Sequence, residues 1–334
     1  MGHRLDLVLS GGAAPDGPRG WQGTLRRRTL GPPRLAGIVV QTKQVERVSE
    51  TIGAQIEHIA SRERAAALAG KVVLLQSVPK MYVAIDGTGV PIVPRETQGR
   101  PGKDETGQAK TREAKLGCVF TQTRLDDKVR PLRDEGSTTY VGAIENAKDF
   151  GWRIFTEAIR RSSRRAEQII VLGDGAVWIW NIADEHFPGA IQVVDLYHAR
   201  EHLSGLAKIL YAPGTHKAKA WAQARISDLD AGNIETLVGS LARVRPSATN
   251  CKDELRNTSA YFESNAHRMR YADSRQRALF VGSGVVEAAC KTIIGHRLKQ
   301  SGMRWTVRGA NAVIALRCCE LSSRWEQFWE ARSA

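Results

Sequence analysis

The sequence predicts an α/β fold: a mixed sheet flanked by helices and interrupted by an all-helical insertion. Two observations carry this prediction. Short apolar runs, MYVAID (81–86), QIIVLG (168–173) and AIQVV (190–194), are separated by stretches of helical periodicity, the pattern of β-α-β crossovers and parallel strands. After Asp195 the β-type runs stop. From His198 to about Ala278 the chain is rich in Ala, Leu, Glu and Arg, with turn marks at 213–215, 231–233 and 245–247, which divide it into helix-sized pieces.

Taken in chain order, residues 1–38 hold GGAAPDGPRG, three consecutive arginines (Arg26, Arg27, Arg28) and GPPR. Such composition buries too little apolar surface to offset chain entropy, so a poorly ordered basic segment is expected. Residues 39–78 form a helical linker or subdomain, with Val45, Val48, Ile52, Ile56 and Ile59 at helical spacing. Residues 79–196 form the first part of the α/β core. Within it, 81–86 and 116–123 read as strands joined by a polar, glycine-rich excursion over 94–115. Residues 141–165 read as a helix ending in Arg160, Arg161, Arg164 and Arg165, and 175–187 as the next helix. Residues 197–280 are the helical insertion, and 281–334 supply closing helices over 283–300 and 306–333.

Charge narrows the class of partner. The chain carries 49 Lys and Arg against 35 Asp and Glu, a formal net charge of +14, and a sequence pI of about 9.9. A field of that sign attracts polyanions, and nucleic acid is the leading candidate. No segment approaches the roughly 18 uninterrupted apolar residues that span a bilayer, and no basic-then-apolar leader resembles a signal peptide. A cytoplasmic, nucleoid-associated protein without membrane contact is expected. The five cysteines form no Cys-x-x-Cys pair and have no His at zinc-finger spacing, which points to reduced thiols rather than disulfides or zinc.

Three acids stand at element ends: Asp86 closes MYVAIDG, Asp174 closes IIVLGDG and Glu287 lies in VGSGVVEAACK. Two strands ending in Asp-Gly put carboxylates at a sheet edge, and a helix-borne Glu can complete an oxygen-rich site suited to Mg²⁺. Asp-Gly is also a common turn signal. It is the ordered set of three in a basic chain that points to phosphodiester chemistry. Asp195, His198 and His202 form a second tier, in which Asp195 either competes as a metal ligand or caps a helix carrying both histidines. Trp178 and Trp180 either stack on an exposed base or pack in the core. Past Glu287, Lys291, Arg297, Lys299 and Arg304 are the candidates for DNA phosphates. GSGVVE (282–287) lacks a preceding strand and a Gly-Lys-Ser/Thr ending, so a nucleotide loop is not indicated.

Four long segments resemble a known family: YVAIDGTGVPIVPRE (82–96), KTREAKLGCVFTQT (110–123), VLGDGAVWIWNIADEHFPGAIQVVDLYHAREHL (171–203) and VGSGVVEAACKTIIGHRLKQSGMRWTVRGANAVIALR (281–317). The chain resembles the DDE transposases of bacterial insertion sequences, within them the ISKra group, over roughly residues 75–330. The resemblance implies an RNase H-like core and Asp86, Asp174 and Glu287 as the catalytic, metal-holding acids. It also implies two Mg²⁺ ions with Mn²⁺ as substitute, DNA partners at transposon ends and target, and a homo-oligomer on DNA. The alternative is a catalytically silent, truncated remnant that only binds DNA or a protein partner. A glycosidase, which also pairs carboxylates, leaves the basic excess unexplained.

Overall fold

The computed structural model describes residues 34–35, 38–39, 41–71, 77–102, 105, 107–246 and 248–333. The chain divides into two compact units at Val48/Ser49. In the first, Arg34–Leu35 pairs antiparallel with Ile38–Val39, and the helix α1 (Thr42–Leu68) begins. Residues 1–33, most of the segment read as poorly ordered, lie outside the described residues.

The second unit is built on one five-stranded sheet. Its strands are β1 (Val78–Pro91), β2 (Thr111–Gln122), β3 (Thr139–Ala143), β4 (Ala166–Gly173) and β5 (Ile191–Val194). They lie in the order β3-β2-β1-β4-β5. β2 is antiparallel to β1 and β3, whereas β4 is parallel to β1 and β5 parallel to β4. This is the mixed, helix-flanked sheet expected from the sequence. The centre is covered on both faces, so β1 reads as a continuous apolar run: Met81, Tyr82, Val83, Ala84 and Ile85 are each 0% exposed. Tyr82 stacks on Phe120 at 4.8 Å, and Phe280 meets both rings edge-on.

The helices α2 (Ala147–Arg160) and α3 (Val177–His186) intervene between strands. After β5 come α4 (Leu196–Tyr211), α5 (His216–Asp230), α6 (Ile234–Leu241), α7 (Thr249–Asn265) and α8 (Tyr271–Gln276). Side-chain caps fix several starts: Asn146 accepts from Asp149 N, Asp195 from His198 N and Thr215 from Ala218 N. The chain closes with α9 (Gly284–Ala289), a π-helical turn over Cys290–Gly295, α10 (His296–Leu298), α11 (Val307–Leu321) and α12 (Trp325–Ser333).

Several elements differ from their sequence reading. Thr139–Ala143 is a strand, not the start of a helix, because it completes the sheet beside β2. β1 runs on to Pro91 and β2 begins at Thr111, inside the expected loop. The continued pairing is close: a Cβ at Gly87 would lie 2.6 Å from the Glu113 carboxylate. The closing stretch 306–333 is two helices, parted after Leu321.

From Ser49 onward α1 belongs to the sheet unit and lies backbone to backbone against α11. A Cβ at Gly53 would fall 2.3 Å from the Ala312 carbonyl oxygen. Charged pairs join α1 to α2: Arg153 donates to Glu57 at 2.8 and 3.0 Å and to Glu145 at 2.6 Å, and Arg160 to Glu63 at 2.6 Å.

Candidate active site

Register brings the aspartates to one edge. β1 and β4 are parallel with Ala84 opposite Leu172, and β4 and β5 with Gly173 opposite Val194. Two residues past the first pair, Asp86 comes level with Asp174. One residue past the second, Asp174 comes level with Asp195. Adjacent strands lie about 4.8 Å apart, so Asp86, within β1, stands level with Asp174 and Asp195, which directly follow β4 and β5.

Their surroundings separate them. Asp86 is half-buried and accepts Gly87 N at 2.7 Å. Burial, the largest influence, pushes its carboxyl up. The Cys290 thiol and the Gly87 N–H pull it back, the Asp174 carboxylate pushes it up again and His198 pulls it down, leaving a net rise. Asp174 accepts Ala176 N at 2.9 Å, while its carbonyl receives the Tyr261 hydroxyl at 3.0 Å. Between them Gly175 adopts φ +101°, and a Cβ there would lie 2.5 Å from the Tyr261 ring. Tyr261 of α7 thus shapes the turn behind Asp174.

Asp195 has no such freedom. It is 0% exposed, and its oxygens accept His198 N at 2.7 Å and Ser283 N in a short contact. Its own N–H donates to Gly173 O at 2.7 Å, and Leu196 N to Val281 O at 2.9 Å. The capping role, rather than the ligand role, is the one observed: Asp195 ties β4, the start of α4 and the entry to α9 together. Asp195→Ala strands two buried N–H groups and should lower stability by about 2–5 kcal/mol, with Asp195→Asn milder. Thermal melts of both variants check this; an unchanged melt for the Ala variant contradicts the capping role.

His198 and His202, one turn apart on α4, lie 4.9 Å from each other, and His202 stacks on Tyr261 at 4.1 Å. Burial and His198 hold the His202 imidazole below its ordinary value, against the opposing pull of Asp174 and Glu201. The pair lines the Asp86–Asp174 side of α4.

Glu287 sits on α9, half-buried, and accepts the Ser283 hydroxyl at 3.1 Å. Three residues on, Cys290 opens the π-helical turn and reaches Asp86. Glu287 is therefore on the segment packed against β1. Among the described residues, however, no group of three or more His, Cys, Asp or Glu is gathered closely enough to hold a metal ion.

The remaining candidates divide. Lys299 donates to Thr88 Oγ1, two residues beyond Asp86, and Lys291 and Arg304 are exposed. Arg297 is half-buried and turned toward α11: burial and Arg317 hold its guanidinium down, and Glu320 opposes them. Trp178 packs edge-on to Phe150 at 6.1 Å with Lys115 Nζ 5.0 Å over its ring, and Trp180 is 4% exposed, so both indoles belong to packing. Two contributors escaped the sequence reading. Tyr261, in a polar helix far along the chain, gave no signal. Cys290 reads in the sequence only as a reduced thiol, and its approach to Asp86 comes with the π-helical turn that it opens.

A family model matches residues 136–327, which include Asp174, Asp195 and Glu287. The chain belongs to the uncharacterised protein family UPF0236. Asp86 precedes the span by which this UPF0236 member is matched. No curated protein matches the chain. Among solved structures it is similar to the Drosophila P element transposase strand transfer complex, at 8% identity and a TM-score of 0.24, over 75% of this chain and 66% of that one. Among the described residues no helix is long and apolar enough to cross a membrane.

Proposed function

We propose that this UPF0236 member is a divalent-metal-dependent DNA transposase of the DDE kind that its sequence resembles, in the ISKra group, cleaving and transferring DNA strands with Asp86, Asp174 and Glu287. One observation carries the reading. Two like-charged carboxylates stand side by side, Asp86 within β1 and Asp174 just past the end of the adjacent parallel strand β4; the charge of Asp174 raises the cost of ionising Asp86, and a bound cation would relieve that cost. Acceptor-only carboxylates with free lone pairs fit a hard cation such as Mg²⁺ or Mn²⁺. Asp86 and Asp174 would hold it, with Glu287 joining from α9.

When bound, the metal would supply Lewis-acid stabilisation of charge on the scissile phosphate. The protein's own groups would do the rest. His198, close enough to Asp86 to influence its charge, would exchange the proton of the attacking water or DNA 3′-hydroxyl. Lys299 would neutralise a phosphate beside Thr88. Ser283 would orient Glu287, and Tyr261 would fix the backbone that presents Asp174. In this reading residues 197–280 are an insertion within the catalytic core, 281–334 close it, and the chain assembles as a homo-oligomer on paired DNA ends in the nucleoid.

A second reading, a catalytically silent DNA-binding protein, is favoured by the lack of a three-acid cluster among the described residues. A nicking assay on duplex DNA separates the two. Nicking with Mg²⁺ or Mn²⁺ that EDTA abolishes supports the enzyme. Salt-dependent binding without nicking under either metal supports the silent protein.

A further inference from the structure

Beyond Asp86, β1 and β2 leave their neighbours behind. β4 pairs with β1 only as far as Ala84, and β3 with β2 only from Lys115, whereas the β1–β2 register continues to Pro91 opposite Thr111. The two strands therefore project as an arm past the acids. Side chains alternate across a strand, so the face bearing Asp86 also bears Thr88 and Val90 on β1. Leu116, Ala114 and Arg112 stand across from these three on β2.

Val90, Ala114 and Leu116 are fully buried, so the accessible cations, Lys299 and Arg112, stand at the margins of that face. Lys299 is held at the level of Thr88. Arg112 stands at the level of Val90. Burial and the neighbouring charge of Arg100 depress the Arg112 guanidinium, with Glu96 opposing. Arg100 is exposed, and its carbonyl accepts Ala109 N at 3.0 Å where the two sides of the arm meet. Glu96, which opposes the depression of Arg112, also accepts Val307 N at 2.7 Å at the start of α11.

The arm is braced rather than loose. Trp305 N donates to Pro91 O at 3.0 Å, Val93 N to Trp305 O at 2.9 Å, and Trp305 Nε1 to Leu298 O at 3.1 Å. Two guanidiniums held close on a fixed scaffold repel each other, and an anion between them removes the repulsion through charge-assisted hydrogen bonds. The levels of Thr88 and Val90 lie roughly 7 and 14 Å out from Asp86 along the strand. Each DNA strand carries a phosphate about every 3.4 Å of helix axis, so the row matches the charge of a short duplex stretch.

We propose that the β1–β2 arm is a duplex-DNA contact surface, on which Lys299, Arg112 and Arg100 seat phosphates of the DNA leading to the Asp86–Asp174 pair. The inference rests on the DNA-cleaving reading of that site and adds residues outside it. An acidic protein partner is the competing occupant.

The test is fluorescence anisotropy of a labelled duplex of about 30 base pairs with the full chain across a salt series. Arg100→Ala/Arg112→Ala should make the slope of log K against log salt shallower by about 1.8, at about 0.9 for each phosphate no longer neutralised, and weaken binding about tenfold or more. Arg100→Lys/Arg112→Lys should keep most of the slope. If the wild type binds steeply and the double Ala variant keeps the same slope and affinity, the arm is not the surface, while the cleavage reading stands. If the wild type shows no salt-dependent duplex binding, both fall. Should the double variant melt early, Arg100→Glu alone, at an exposed position, gives the same readout: a shallower slope supports the arm and an unchanged one overturns it.

Discussion

Replacing Asp86 by Asn should abolish metal-dependent strand cleavage, with a fall on the order of 10³-fold or more, while leaving duplex affinity and its salt slope unchanged. The loss follows from removing a carboxylate that would hold a cation worth several kcal/mol of transition-state stabilisation. Binding should survive because the proposed phosphate contacts lie with Lys299, Arg112 and Arg100 rather than with the acids. Asn should also raise the melting temperature when divalent ions are withheld, since it keeps an acceptor for Gly87 N at 2.7 Å and ends the repulsion with Asp174. The sign with pH follows from the raised carboxyl. Its contribution to stability is present at low pH and is lost as the pH rises through the folded value. The variant's advantage should thus be small in acid and widen toward neutrality. Cleavage by Asp86→Asn at the wild-type rate would exclude the proposed chemistry.

Glu157→Gln should cost about 3–5 kcal/mol at neutral pH, because it leaves a buried guanidinium without its counter-charge. Glu157 of α2 is 2% exposed. It accepts Arg324 at 2.9 Å on one oxygen, a second Arg324 N–H at 2.5 Å on the other, and the Thr139 hydroxyl at 2.5 Å. Burial alone would push this carboxyl up. Arg324, Thr139 and Arg160 outweigh it and hold it below the ordinary range. A carboxyl lowered on folding stabilises above its unfolded value and stops doing so as the pH falls through its folded value. Wild type and variant should therefore converge well below pH 4. Denaturant melts at pH 7 and pH 3 check both halves, and Glu157→Gln with Arg324→Met should recover part of the loss.

How much of this was legible in the sequence depended on whether a residue's role was local. The apolar runs 81–86, 168–173 and 190–194 were legible as strands because both sheet faces are covered. Thr139–Ala143 was not, since TYVGA between polar flanks becomes a strand only by pairing with β2. The first residues of β2, from Thr111, read as part of the 94–115 loop because TREAK is polar, and only their pairing with residues 87–91 makes them strand. In the site, the aspartates were visible at the ends of apolar runs. That Asp195 is a buried cap is a fact about Ser283, distant in sequence. The approach of Cys290 to Asp86 passes through a π-helical turn, which has no signature in residue spacing.

The seam between α1 and α11 sets the order in which the molecule can come apart. An unfoldase gripping the chain ahead of Ser49 and one gripping it beyond Ser333 meet the same obstacle, the contact of Gly53 with Ala312. From the first side, the pull also strips Glu57 and Glu63 from Arg153 and Arg160. From the second, it first draws Arg324 out of its contact with Glu157. Either route spends its force on the outer clasp while β1 and β4 stay paired. Asp86 within β1 and Asp174 after β4 take no part in either set of contacts.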